Sequence, residues 1–562
     1  CLVGSEMCIR DRKKTIKYTA CGIGILLFAI ILFVSILYFS ADMLTPDYTP
    51  KANGELVQTD SLREYTGNYL RQSNSGLWEL KVSGDAFQRG EVIGKLSSDL
   101  LYYQEKVFVD QIREIVPSDN YLKFLRFFIV LFNRNLGENV PEEFRDEIYG
   151  ISLSCTHEYD FIGTPYERQL NYHSAHDLGH AMQDYMLVGC SSFATWGENS
   201  ADSSLIIGRN FDFYMGDKFA HNKLVSFYQP EQGYKFASVG WPGMIGVLSG
   251  MNETGLTVTI NAAKSDMPTA SATPISILTR EILQYASTID EAYAIALKRK
   301  TFVSESILIG SARDGRAAII EKSPEKTALF TSSGNQIICT NHYQSDTFRN
   351  DECNQENIAT SDSPYRFARL QELLKENKPI DPMKAASILR NQKGLDNIDL
   401  GMGNEMAINQ LIAHHSVIFL PEKQIMYVST SPWQCGKYMA YDLNKIFSDA
   451  VDFHHEIATL SLTIPEDNFI KQANYKQFMA YKQLTKLIRE KTQRKETIET
   501  KVLNLYEASN PSLYYVYEVL GDYYAAVQQT GIAITYWQKA LTMPIPKQAE
   551  KVRIQQKINK NQ

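Results

Sequence analysis

The sequence predicts an α+β fold, in which a helical segment precedes a layered, strand-rich domain. Three observations carry this expectation. Apolar residues recur at three- and four-residue intervals through residues 100–136, the pattern of helices with one buried face. At Cys190 the texture changes to short β-rich runs separated by Gly, Pro, Asn and Asp. Those runs surround a helical stretch, Pro274 to Lys300, and do not alternate with helices one by one, which argues against a parallel βαβ series.

The chain has 562 residues, of which 44% are hydrophobic and 22% charged, an ordinary globular composition. A net charge of −7 gives no reason to expect a nucleic-acid partner. Residues 1–12, "CLVGSEMCIRDR", resemble a translated sequencing-adapter remnant, so Cys1 and Cys8 are set aside. Residues 18–40 form an almost uncharged apolar segment, long enough to be a transmembrane anchor or a signal segment. Arg10, Arg12, Lys13, Lys14 and Lys17 precede it, and Asp42 and Asp47 follow. The positive-inside rule then puts the body of the protein outside the cytoplasm, in a bacterial periplasm or at the cell surface. Ser40-Ala41 makes a poor cleavage site, which favours an uncleaved anchor.

Residues 56–189 read as mainly helical. "LWELKVSGDAFQRGEVIGKL" opens with a short strand, turns at Gly84-Asp85 and becomes a helix. "YLKFLRFFIVLFNRNL" is very apolar, but its length and its internal Lys and Arg mark it as core, not membrane. After Cys190 come "SLIIGRNFDF", "LVSFYQP", "YKFASVGW", "MIGVLSGMN" and "GLTVTINAA", as in antiparallel sheet with short turns. More strands follow the helical stretch, ending in a hairpin, "HSVIFLPEKQIMYVSTS", that turns through Pro421-Glu422-Lys423. Residues 465–562 are helical and charged. Within them Tyr517, Leu520, Gly521, Tyr524, Ala533, Trp537, Ala540 and Pro544 fit one tetratricopeptide-like (TPR-like) repeat, a module that docks protein partners. One repeat cannot bury its own face, so it must pack on flanking helices.

Two chemistries compete around residue 180. His173, His176, Asp177 and His180 share one helical face. Spread over two turns, about 10 Å, the three imidazoles cannot converge on one ion. No third ligand for the His176/His180 pair stands out among His342, His414 and His415, so no metal and no cofactor is expected. The other candidate is Cys190, preceded by Gly189 at the junction of helical and strand-rich sequence. Cys155, Cys190, Cys339, Cys353 and Cys435 are odd in number, so at least one stays unpaired in an oxidising compartment.

The residues after Cys190 decide between the two. "GCSSFATWGENSADSSLIIGRNFDF" resembles the nucleophile segment of cysteine N-terminal-nucleophile (Ntn) hydrolases, in the penicillin acyltransferase-like (peptidase C45 type) branch related to choloylglycine hydrolases. In that pattern an Arg-x-x-Asp follows the cysteine, here Arg209 and Asp212. "GMNETGLTVTINAA" is similar to the segment carrying an oxyanion-hole asparagine, Asn261, and "ICTNHY" to a second, Asn341. "SPYRFARL" resembles a helix start that supplies a late arginine, Arg366, and Gly84, Gly90 and Gly94 match the glycine pattern that opens the acyltransferase branch. The Cys190–Arg209 gap is longer than in bile-salt hydrolases, which weakens any inference of that specificity.

The resemblance implies a four-layer αββα sandwich over residues 190–460, with 56–189 as pro-segment or small subunit. It implies no cofactor, and a small acyl-amide substrate whose linear C–N bond is cleaved or transferred through an acyl-cysteine. An N-terminal cysteine supplies nucleophile and base together, because its α-amine, with a reference pKa of about 7.7–8.0, accepts the thiol proton. An internal Cys190 has only an amide nitrogen, so the mechanism calls for self-cleavage between Gly189 and Cys190, with Gly189 permitting the strained geometry of attack. Arg209 would favour thiolate, Asp212 would orient the new ammonium, and Asn261 (backbone N–H) with Asn341 (side-chain amide) would hold the oxyanion. Arg366 would support the charge network, and His173, His176 or His180 would assist processing or shape the pocket. The alternative reading is a catalytically inactive, membrane-anchored Ntn-fold scaffold that presents the TPR-like module.

Overall fold

The computed structural model describes residues 2–39, 41, 43–49, 54–59, 61–115, 118–181, 187–264, 271–448 and 451–562. Among these, eleven strands form a large sheet and six a smaller one. The smaller sheet runs in the order Gln336–Cys339, Ser191–Gly197, Ser203–Phe211, His415–Leu420, Ile425–Ser429, Tyr438–Asp442, with antiparallel neighbours throughout.

Period-two alternation sorts the side chains of each sheet into separate cores. In the smaller sheet, Ala194, Leu205, Ile207, Val417 and Phe419 face the large sheet, where they meet Val225, Phe227, Leu308 and Ile319. Phe193, Ile206, Ile418 and Leu420 point the other way, onto Leu370, Leu374, Ile388 and Leu389 of the helices Ser363–Asn377 and Pro382–Leu389. The outer face of the large sheet, including Leu224, Tyr228, Ile307 and Ile309, packs on residues of the helices Ala86–Ile115, Glu142–Ser152 and Ile275–Tyr285. Helix, sheet, sheet, helix: the αββα order implied by the family resemblance is present. The late hairpin also turns where expected, with Leu420 opposite Ile425 and Gln424 in the left-handed region at φ 57°.

The segment 56–189, expected to be mainly helical, carries helices over much of its length and strands besides. It supplies four strands to the large sheet, Val57–Gln58, Leu62–Tyr65, Asn68–Gln72 and Trp78–Gly84. The last of these pairs in parallel with Leu224–Pro230 over seven residues, a parallel neighbour in an otherwise antiparallel sheet. Trp78–Gly84 is the short strand expected before the turn at Gly84-Asp85; the three before it are short and joined by tight turns such as Thr66-Gly67, and they were not expected. The glycine pattern has a packing reason: a Cβ on Gly90 would strike the backbone of Glu147, and one on Gly94 would meet Ser154 Oγ at 2.8 Å. The two helices therefore cross backbone to backbone.

The first helix, Leu2–Phe39, contains the apolar stretch Tyr18–Tyr38, long and apolar enough to cross a membrane and unburied by the rest of the chain. At the other end, five helices from Ala473 to Asn561 build their own core and pack on Leu411 and Cys435 of the sandwich. The hairpin Tyr514–Ala526/Thr530–Leu541 buries Tyr517, Leu520, Ala533, Trp537 and Ala540, with Gly521 lying against the Trp537 ring. The last helix, Gln548–Asn561, is bound to it by Arg553 and Lys557, both paired with Glu518.

Candidate active site

Cys190 sits at the start of the Ser191–Gly197 strand, in register beside Ser203–Phe211, where Ser192 faces Arg209 and Ser191 faces Asn210. The same pairing continues one step back, since Gly189 N–H donates to the main-chain oxygen of Asp212 at 3.1 Å. Antiparallel register thus delivers cysteine, arginine and aspartate to one spot. The Arg-x-x-Asp spacing works because residues 209 and 212 straddle the end of the neighbouring strand.

Arg209 is fully buried, not a surface ion-pair residue. Its Nη2 donates to Cys190 Sγ at 3.8 Å and to the main-chain oxygen of Ile260. Its Nη1 donates to Leu248 O at 3.1 Å, to Ser249 Oγ, and to His415 Nε2 at 3.3 Å. The guanidinium also lies 4.4 Å from the Phe211 ring centroid. Arg366, one turn into its helix, is equally buried. It donates through Nη1 to Cys190 O at 2.6 Å and Ser191 Oγ at 2.9 Å, and through Nη2 to Asn341 Oδ1 at 2.7 Å, with Asp362 held at Nε. It grips the backbone of Cys190, which is more than a helix-capping role.

The asparagines bracket Ala262. Asn261 Nδ2 donates to Cys339 O at 3.0 Å while its Oδ1 accepts from Ser192 Oγ at 2.9 Å, bridging the two sheets. Asn341 Nδ2 donates to Ala262 O at 2.8 Å, leaving its second amide hydrogen uncommitted by that bond.

Electrostatics here are dominated by burial. The Cys190 thiol is pushed up to about 11, because desolvation outweighs the nearby Arg209. Arg209 acts in the expected direction, lowering the thiol, but burial outweighs it in the uncut chain. Asp212 is pushed up to about 8 by the same cause, and neither carboxylate oxygen has a hydrogen-bond partner among the described residues.

Sequence reasoning placed the histidines only in part. His173 is a structural tie: Nδ1 donates to Gln169 O at 2.7 Å and Nε2 accepts from Ile245 N–H at 3.1 Å. Burial holds it neutral, with its pKa lowered to about 4. His176 and His180 lie on the helix Pro165–Ala181, but their side chains fall outside the described residues. Gly189 is not in a left-handed conformation. Its lack of a side chain matters because a Cβ there would come within 2.5 Å of Gln410 Nε2.

Gln410 itself was missed. It donates to Gly189 O at 2.9 Å, the carbonyl of the Gly189–Cys190 bond. So were His414 and His415, whose Nδ1 atoms are 2.9 Å apart behind Arg209. Nothing local in sequence marks either feature, since they arrive from more than two hundred residues away. Cys155, Cys190, Cys339 and Cys435 are free thiols.

Residues 197–410 match the model of the acyl-coenzyme A:6-aminopenicillanic acid acyl-transferase family. That segment is similar to this acyl-transferase family. The match contains Arg209, Asp212, Asn261, Asn341, Arg366 and Gln410, and begins seven residues after Cys190. Among curated proteins, the chain is 24% identical over 277 residues to an uncharacterized protein of Archaeoglobus fulgidus, covering 46% of each. It is 23% identical over 271 residues to protein dcd1B of Dictyostelium discoideum, covering 45% of this chain and 51% of that one. The chain thus spans about half the length of the curated relatives it matches. Similar solved structures include a Caenorhabditis elegans N-acylethanolamine-hydrolyzing acid amidase ortholog, at 14% identity and TM-score 0.31, covering 42% of this chain and 93% of that one. Penicillin V acylase from Agrobacterium tumefaciens aligns at 15% identity and TM-score 0.30, covering 46% and 87%.

Proposed function

We propose that the protein is a self-activating cysteine amidohydrolase or acyltransferase acting on linear N-acyl amides, held at a membrane by its first helix with the catalytic domain outside the cytoplasm. The observation that carries this reading is Asp212, a buried carboxyl without a hydrogen-bond partner among the described residues, whose main chain is bonded to Gly189 N–H and whose charge bears on the Cys190 thiol. Burying a carboxylate without a partner is costly, and an ammonium at residue 190 would relieve that cost.

In the proposed activation the Cys190 thiol attacks the carbonyl carbon of Gly189. The Cys190 nitrogen leaves as an amine, taking the thiol proton, and Gly189 is left as a thioester on sulfur. Gln410 Nε2–H bears on the oxygen that turns negative during attack. Water then hydrolyses the thioester, giving a Gly189 carboxylate, the thiol, and a free α-amine that Asp212 accepts as ammonium. In turnover the same amine takes the thiol proton, the thiolate attacks the substrate carbonyl, and the proton passes to the departing amine. Asn341 and the Asn261 backbone stabilise the oxyanion, and Arg366 fixes the cysteine main chain. Water resolves the acyl-cysteine in hydrolysis; an acceptor amine does so in transfer.

N-terminal sequencing of the purified protein tests this directly. Wild type yields a fragment beginning at Cys190, and Cys190→Ala yields none. An intact wild-type chain refutes the proposal.

A further inference from the structure

A cavity of about 230 Å³ lies where the sandwich meets the C-terminal helices. An apolar cavity of about 150 Å³ is already large enough to take up benzene. Phe213, Tyr214 and Phe219, from the loop directly after Asp212, form one wall; Trp433 and Tyr475 form another. Tyr475 belongs to the helix Ala473–Arg494, beyond the family match, and Trp433 also lies beyond it. Lys482 of that helix ion-pairs with Asp217 and sits 5.5 Å from the Tyr214 ring and 5.4 Å from the Trp433 ring, tying the two walls together.

Asp217, His221 and Ser431 also line this aromatic box, but the buried lining atom left without a partner among the described residues is on His414, whose proton position follows from its neighbours. Arg209 is always protonated, so His415 Nε2, which meets Arg209 Nη1, is an acceptor. Burial keeps both imidazoles neutral, His414 with a pKa lowered to about 3 and His415 lowered well below the usual imidazole value. Neutral His415 then carries its hydrogen on Nδ1 and donates it to His414 Nδ1. That leaves the hydrogen of His414 on Nε2, which is buried and has no hydrogen-bond partner among the described residues. The cavity therefore joins aromatic walls to a vacant donor, and a two-imidazole chain runs from that donor to the arginine on Cys190 Sγ.

We propose that this cavity is a subsite for the uncleaved part of the substrate, and that it selects a flat aromatic group bearing one hydrogen-bond acceptor, which receives His414 Nε2–H. The subsite rests on the amide chemistry proposed above, and it gives the C-terminal helices a role in specificity.

Two neutral probes separate its parts. With full-length Cys190→Ala protein, ligand-observed NMR shows anisole binding at least fivefold tighter than toluene, which lacks the acceptor. His414→Phe brings the two affinities together, and Met479→Trp, which enlarges another lining residue and fills the cavity, removes both. In the active protein, Met479→Trp lowers the ratio of kcat/KM for 4-methoxyphenylacetyl over acetyl 4-nitroanilide at least tenfold. An unchanged ratio, or anisole binding that survives Met479→Trp, overturns the subsite. If wild type cleaves neither anilide while anisole binds as described, the amidase reading fails and the cavity stands as a ligand site.

Discussion

Replacing Asp212 with asparagine in the uncut Cys190→Ala protein measures how poorly the precursor tolerates this carboxylate. Asp212 has its pKa raised from 3.8 to about 8 by burial, so between those values the folded chain keeps a proton that the unfolded chain has released. Stability then falls as pH rises, by about 1.4 kcal/mol per unit. It is fully present below about pH 4 and is lost as pH climbs towards 8. From pH 4 to 7 the loss is on the order of 4 kcal/mol. The substituted amide does not titrate, and leaving it unpaired costs a constant amount, so the slope with pH is diagnostic and the offset is not. Thermal-unfolding midpoints at pH 4.5, 6.0 and 7.5 give the comparison. At roughly 2 °C per kcal/mol for a large domain, the Asp212→Asn variant gains several degrees on its parent across that range. Midpoints that stay a fixed distance apart at every pH refute the reasoning, because Asp212 would then ionise in the folded chain near its ordinary pKa, at no cost.

Three further outcomes follow from contacts of the site and its frame. Gln410→Ala removes the donor on Gly189 O and lengthens the half-time for appearance of the Cys190 fragment about a hundredfold, as loss of one oxyanion donor does; a gel time course reads it. Arg366→Lys retains the charge but not the fork that holds Cys190 O, Ser191 Oγ and Asn341 Oδ1, and acyl-amide turnover falls about a hundredfold, equivalent to ~3 kcal/mol of lost charge-assisted bonds. Glu147→Gln leaves Arg89 and Arg280 buried against a neutral partner and destabilises the protein by about 3–5 kcal/mol, read as a lower denaturant midpoint.

What the sequence disclosed was the part encoded locally. The strands after Cys190 were legible because alternation and turn residues sit side by side, and Arg209 and Asp212 because their spacing matches one stretch of strand. Asn261, Asn341 and Arg366 were legible through family likeness. The first three strands were not, because they are short, and the sheet they extend is completed only where the fourth, Trp78–Gly84, pairs with a strand near residue 224. Gln410, His414 and His415 were invisible for the same reason: each matters only through a contact made across the fold. The sign of the Cys190 shift was also out of reach, because the nearby arginine is evident in sequence and the degree of burial is not.

The first four strands also explain how a chain cut at residue 189 would stay whole. The Trp78–Gly84 strand is hydrogen-bonded along its length to Leu224–Pro230, on the far side of the cut. Glu147 stands between Arg89 of its own segment and Arg280 of the catalytic domain, with all three buried. Glu79 accepts from Tyr441 Oη at 2.8 Å in the middle of the sandwich. By contrast, the described residues just before Cys190 are paired to the rest through the two-residue strand Leu187–Val188, which lies on Phe213–Tyr214. Hydrolysis of the Gly189–Cys190 bond would therefore free a short tail and leave the frame intact. The tail lies against Phe213 and Tyr214, which also wall the aromatic cavity. Under the proposed activation, its release would unpair Phe213–Tyr214 at the wall of that cavity.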